Sequence, residues 1–413
     1  MSSLSLAHVV SGPVPVFKAP MPLRPLIALT TLLHVYIGLR LLPSLPGAAI
    51  GWWALMLALV VSAATMPMPF VGRRSKGRKL ADGWKWIGLL SMGWFSSMFV
   101  LALVRDAGLI VSWLAALPLG TTPDWARWKA VSAAAVPLLA TAISLIGFLN
   151  ARRTAAVVRV DVPIRNLPSA LDGFTIAQLS DIHVGPTIKR GYIQRIVDAV
   201  NALGADMVAI TGDLVDGTVQ ELREHIAPLE GLRTRHGTFV VTGNHEYYAG
   251  AHAWIDELRR LGLHVLLNEH VVLQTRNVKG AQTDEEILES ALVVAGVTDY
   301  TAVHFDAAHA SDPHGAVHDA PPLVHTRVLL AHQPRTASVA ADAGYHLQLS
   351  GHTHGGQFFP WNLFVPLQQP FTAGLHKLRE MWVYTSRGTG YWGPPKRFGA
   401  PSEITLLRLV PVA

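Results

Sequence analysis

Leu347-Gln348-Leu349-Ser350-Gly351-His352-Thr353-His354-Gly355-Gly356-Gln357 is the stretch from which the fold can be read. An apolar run, readable as a buried strand, stops at Ser350 and releases two histidines one residue apart among three glycines. Imidazoles at i and i+2 on a turn can point at two neighbouring points in space, and the glycines permit positive φ and close approach of a ligand. A single histidine is usually a packing or surface residue. Here four other apolar runs end in a similar way. Residues 174–179 lead to Asp181 and His183, residues 207–210 to Thr211-Gly212-Asp213 with Asp216 beyond, residues 238–241 to Gly243-Asn244-His245-Glu246, and residues 327–330 to His332. Between the first two, Ile193, Ile196, Val197, Val200 and Leu203 recur at helical spacing. Apolar runs alternating with helical segments predict an α/β domain. Ligands gather at the carboxyl ends of strands in such sheets, so the five turns can share one rim.

Taken singly each turn is weak. The ordered set Asp-x-His, Gly-Asp, Gly-Asn-His-Glu, His and Gly-His-x-His resembles the calcineurin-like metallophosphoesterases over nearly all of residues 170–410. Together with Ser386-Arg387-Gly388 and Arg397-Phe398-Gly399, the Gly-His-x-His turn is similar to the membrane-attached branch of that family. The resemblance implies a four-layer α-β-β-α sandwich. It implies a first metal on Asp181, His183 and His354, a second on Asn244, His332 and His352, and Asp213 bridging both. His245 is then the catalytic group that protonates the leaving oxygen or stabilises transition-state charge. Oxygen and imidazole donors without thiolate suit two divalent ions such as Mn²⁺, Fe or Zn²⁺. Such a pair activates water as a hydroxide nucleophile for attack on phosphorus.

The rest of the chain says where this chemistry sits. The 413 residues are 50% hydrophobic, with a mean hydropathy of +0.31, too apolar for an ordinary soluble domain. The excess lies in residues 1–150, where stretches at about 25–42, 47–70, 84–104 and 129–149 each approach the ~20 residues that span a bilayer. Residues 109–119 read as an extension or an interfacial piece. Eight of the twelve tryptophans fall in this half, mostly near stretch ends. The expected organisation is therefore a helical transmembrane module, 1–150, followed by the phosphoesterase domain, 151–413. The first part carries 12 Lys+Arg against 3 Asp+Glu and the second 22 against 25. A near-neutral domain argues against a nucleic-acid partner. Arg73, Arg74, Lys76, Arg78, Lys79, Arg152 and Arg153 place both termini and the domain on the cytoplasmic side of an inner or plasma membrane, by the positive-inside rule. The leader before Pro25 lacks the form of a cleaved signal peptide. No cysteine is present, which excludes disulfides and thiolate sites.

Residues 357–371 leave the metal turn as an uncharged, aromatic-rich run that includes Phe359, Trp361, Leu363, Phe364 and Leu367. It either packs against the sandwich or forms an apolar rim for membrane lipids and a lipid-linked phosphoester. By resemblance to related membrane enzymes, a UDP-2,3-diacylglucosamine-type pyrophosphate of lipid A synthesis is a candidate substrate. His304, His309, His314, His318 and His325 read as a flexible polar loop, and 277–290 as an acidic insertion. Two other classes stand beside the hydrolase. One is a non-catalytic membrane sensor or scaffold, which the complete ligand set disfavours. The other is a transporter, disfavoured by about four crossings with no charged pair within them.

Overall fold

The computed structural model describes residues 23–45, 49–71, 78–119, 123–274 and 290–412, with positions 283 and 288. The leader, Arg73, Arg74, Lys76 and most of the acidic 277–290 segment lie outside the described residues.

Four long helices open the described chain: α1 (Leu23–Leu41), α2 (Ala49–Thr65), α3 (Arg78–Leu119) and α4 (Trp125–Arg152). Each is long and apolar enough to cross a membrane. Their outward faces carry exposed Leu, Ile, Val and Trp, as lipid-facing helices do. The 109–119 piece is no separate segment, because α3 runs through it unbroken. The two charges just before it, Arg105 and Asp106, are satisfied within the bundle. Asp106 Oδ2 accepts from Tyr36 Oη and Arg40 Nε at 2.7 Å each, and Arg105 donates to Ser132 Oγ at 3.0 Å. A charged pair therefore does lie within the bundle, contrary to the expectation from sequence. Pairing inside the bundle is what makes such charges tolerable at that depth.

The domain follows α4 closely, with only residues 153–155 between. Its strands are β1 (Ala156–Ile164), β2 (Thr175–Leu179), β3 (Met207–Thr211), β4 (Thr238–Val241), β5 (His264–Val265), β6 (Glu269–Leu273), β7 (Leu292–Gly296), β8 (Thr326–Leu330), β9 (Leu347–Ser350), β10 (Gly374–Leu378), β11 (Met381–Thr385) and β12 (Glu403–Pro411). Its helices are α5 (Arg190–Asn201), α6 (Val219–Ile226), α7 (Asn244–Ala249), α8 (Ala251–Arg260) and α9 (Ala337–Asp342). The strands form two six-stranded mixed sheets, ordered β1-β12-β2-β3-β4-β5 and β10-β11-β9-β8-β7-β6.

Strand alternation explains the layering. Met207, Ala209, Phe239 and Val241 of one sheet face Leu292, Val294, Val328 and Leu330 of the other across a shared core. The residues between them, Val208, Ile210 and Val240, face the opposite way, against α5, α6 and α8. Val293, Ala295 and Leu329 likewise face α9 and short 3-10 turns. Both faces of each central strand are covered, so the runs are mostly apolar, with Gln178 and Gln348 as buried polar exceptions. The result is the expected four-layer α-β-β-α sandwich.

The sandwich is docked on the helical bundle rather than tethered below it. Lys396 Nζ donates to Gly93 O at 2.8 Å and Ser97 Oγ at 2.5 Å, and the Arg397 N–H donates to Gly147 O at 2.8 Å. Trp361 Nε1 donates to Ser96 Oγ at 3.0 Å. Arg152 sits over Trp86 and donates to Thr187 O at 2.8 Å, so Trp86 marks the domain end of α3. Ser96 is ten residues further along the helix, about 15 Å at 1.5 Å per residue.

Two outcomes follow for the detergent-solubilised chain. A Cβ at Gly147 would lie 2.7 Å from Lys396 Cγ. Gly147→Val should therefore lower stability by about 1–3 kcal/mol through overpacking, read as a lower thermal midpoint. Burial pushes the Lys396 ammonium down to about 8 from 10.5. The unfolded chain then holds more protons than the folded one between those values, and stability rises with pH across that window. Lys396→Met should remove this increment, and an unchanged pH slope in the variant would count against it.

Candidate metal centre

The carboxyl ends of β2, β3 and β4 in one sheet and β8 and β9 in the other open on the same edge, and every residue expected at the site converges there. Asp181 and His183 follow β2, Asp213 follows β3, Asn244 starts α7 after β4, His332 follows β8, and His352 and His354 follow β9. His354 Nε2 lies 3.0 Å from His183 Nε2 and 3.4 Å from Asp181 Oδ1. His332 Nε2 lies 3.2 Å from both His352 Nδ1 and Asp213 Oδ2. Asp213 Oδ2 is also 3.8 Å from His183 Nε2, so one carboxylate oxygen stands between the two groups of donors. His245 Nε2 is 4.0 Å from that same oxygen, at the open side.

Three observations indicate that this donor set fits divalent cations. Asn244 Oδ1 is buried with no hydrogen-bond partner, an unfavourable state unless something else binds it. The facing imidazole nitrogens, at 3.0 and 3.2 Å, bring lone pairs together unless a proton or cation lies between them. Asp181, His183, Asp213, His352 and His354 all have φ between 52° and 68°, a region that non-glycine residues enter at a cost of order 1–3 kcal/mol. The tight turns need the glycines too. A Cβ at Gly351 would overlap the Asp181 carboxylate, and one at Gly243 that of Asp213. The fold accepts backbone strain to aim these side chains at one point.

The electrostatics agree for two of the ligand imidazoles, while at His332 burial is outweighed by the nearby carboxylates, Asp213 first, which hold the ring well above its usual value. Burial holds the His352 imidazole down at about 3, so it is a neutral donor. Burial, with His183 and Arg397 nearby, likewise keeps His354 well below its usual value. His245 is the opposite case. Burial opposes its charge, yet Asp213, Asp216 and Glu246 outweigh burial and push it up to about 9.

Three contributors were present in the quoted motifs but not singled out from them. Asp216 Oδ1 lies 2.9 Å from His183 Nδ1 and 2.7 Å from His245 Nδ1, orienting both rings. Glu246 is fully buried and accepts from the N–H groups of Gly243 (2.7 Å), Leu214 (2.8 Å) and Asp213 (3.0 Å), clamping two ligand turns together. Arg397 donates to His354 O at 2.9 Å and lies 3.1 Å from its Nδ1. The signal for Asp216 and Glu246 was adjacency, in Gly-Asp-Leu-Val-Asp and Gly-Asn-His-Glu. Arg397 stands in the quoted Arg397-Phe398-Gly399, but nothing local gives it a role at the site, since His354 is 43 residues away in sequence.

Residues 357–371 do not pack into the sandwich as a whole. Phe359, Trp361 and Phe364 are exposed, Leu363 is 62% and Leu367 81% exposed, and the run lies beside α3. Trp392 is also exposed, with its ring 5.8 Å from His245.

A profile of the family described as calcineurin-like phosphoesterase matches residues 174–356. A bovine transmembrane protein with metallophosphoesterase domain is 39% identical over 316 residues, covering 75% of this chain and 69% of that protein. An uncharacterized metallophosphoesterase of Campylobacter jejuni is 37% identical over 262 residues, covering 63% of this chain and 64% of its own length. Among solved structures, a 5'-nucleotidase precursor from Thermus thermophilus has 17% identity and a TM-score of 0.35, over 57% of this chain and 54% of that one.

Glu246→Gln should destabilise the chain by about 1–3 kcal/mol, since the amide cannot accept from all three N–H groups. Its affinity for divalent ions should fall roughly 10–100-fold. Titration of bound metal together with thermal unfolding measures both.

Proposed function

Because the chain belongs to the calcineurin-like phosphoesterase family, we propose that it is a membrane-embedded hydrolase that cuts phosphate ester or pyrophosphate bonds with two divalent ions. Asp181, His183 and His354 would hold one ion and Asn244, His332 and His352 the other, with Asp213 available to both. The single observation that carries this is the buried, converging donor set around Asp213. When bound, the ions supply Lewis-acid activation of water and neutralise charge on the phosphoryl group.

The chain's own residues do the rest. Asp216, on His245 Nδ1, leaves Nε2 of that ring turned toward the open side to hand a proton to the leaving oxygen. Tyr248, with its ring 5.3 Å from His245, and Trp392 flank the proton donor with aromatic surface. The strained turns hold the donors in place before substrate arrives, so little reorganisation is needed.

The substrate class we favour is an amphipathic, lipid-linked phosphoester, with membrane lipids as neighbours. Support comes from the exposed run 359–367, which hydrogen-bonds α3 about 15 Å beyond Trp86. Exposed apolar side chains beside a membrane-type helix are suited to contact with acyl chains. A UDP-diacylglucosamine-type pyrophosphate is one member of the class. Arg152 and Arg153, at the domain end of α4, support a cytoplasmic domain.

Asp213→Asn should abolish metal-dependent hydrolysis of a chromogenic phosphodiester, with a loss beyond the roughly 10–100-fold expected for an outer partner. Leu363→Ser with Leu367→Ser should leave that soluble substrate unaffected and slow cleavage of a lipid-linked phosphoester in mixed micelles. Equal rates on the lipid substrate would remove the lipid class, and full metal occupancy without any phosphoester cleavage would remove the hydrolase itself.

A further inference from the structure

A second group of metal-type donors meets at the surface, sharing no residue with the centre around Asp213. His252 is the second residue of α8. Asp306 and His309 come from the loop after β7. There Asp306 Oδ1 accepts from the Ala308 N–H at 2.9 Å and opens the 3-10 turn Ala307–His309. The other carboxylate oxygen, Oδ2, lies 3.1 Å from His252 Nε2. Tyr247 Oη lies 2.8 Å from His309 Nδ1, which leaves the second nitrogen of that ring for a ligand. One donor atom from each of the three residues lies within 4.8 Å of the others.

We infer that His252, Asp306 and His309 form a third divalent-cation site, which takes zinc with two imidazole nitrogens, one carboxylate oxygen and solvent. The mixture of donors suits zinc, whose sites commonly combine three protein ligands with water. The outer partners that fix such ligands are in place, with Tyr247 on His309 and the Ala308 N–H on Asp306. An ion pair between His252 and Asp306 accounts for their 3.1 Å contact; His309, held by Tyr247, adds a third donor with its ring centre 5.0 Å from that of His252.

The site has a consequence for the cleft. A cation there ties α8 to the loop that carries Phe305. That ring packs on Tyr247 at 5.8 Å and on Tyr248 at 5.5 Å, and Tyr248 packs on His245. Occupancy braces one wall beside the proton donor. Only His309 and Asp306 of the histidine-rich stretch take part, and the third ligand comes from a helix some 54 residues earlier, which is why the stretch alone reads as a polar loop.

The test uses the full chain in detergent, equilibrated with zinc as the only added metal at low micromolar free concentration, with bound zinc counted per chain. Wild type should hold one equivalent more than His252→Ala and one more than Asp306→Asn. Asp213→Asn should lose zinc from the centre and keep that extra equivalent. Hydrolysis is not read, so the outcome is separable from the fate of the phosphoesterase reading. Zinc content equal to wild type in both folded surface variants, with loss confined to Asp213→Asn, would overturn the site and leave an ion pair only.

Discussion

Donor atoms that face one another in a buried pocket are the constraint on which this molecule turns. Imidazole nitrogens 3.0–3.2 Å apart and a carboxylate oxygen among them are mutually repulsive or poorly matched in the absence of positive charge. The fold holds them there nonetheless. Five of the residues sit at positive φ, and two glycines vacate the space that their carboxylates occupy. Glu246 cross-links two of the turns. Strain and close approach of this kind are expected where binding of a cation offsets their cost.

The membrane helices enter the same network. Arg397 is the junction, because its backbone N–H meets Gly147 of α4 while its guanidinium holds His354. Lys396, one residue before, is buried between Gly93 and Ser97 of α3. A shift of the bundle against the sandwich is therefore felt at the His354 turn without passing through a flexible linker. The exposed apolar run 359–367 leaves the same turn and lies at the same level of α3. The exposed apolar run and the candidate centre are built from adjacent residues, which is the basis of the lipid-linked substrate proposed above.

Much of this could be read before any coordinates. The five apolar runs were legible because central strands covered on both faces are mostly apolar, and each ends in a polar turn, usually with Gly nearby. The four apolar stretches were legible from length and hydropathy. Strands such as β1, β10 and β12 were not, since β10 has no fully buried residue and β1 and β12 are recognisable only through their pairing with each other and with β2. The unbroken length of α3 was hidden by Arg105 and Asp106, whose partners on α1 and α4 no local pattern announces. Among site residues, those on the strand-end turns took their roles from the family resemblance and were marked by the polar ends of the apolar runs. Arg397 and the surface triad were not, because their partners are distant in sequence and only the tertiary fold brings them together.

Anomalous scattering from crystals of the chain loaded with manganese or zinc tests the central claim most directly. The account predicts two peaks about 3.5–4 Å apart, one against Asp181, His183 and His354 and one against Asn244, His332 and His352, with Asp213 between them. A single peak, or a pair that leaves Asn244 Oδ1 and Asp213 without contact, would contradict it.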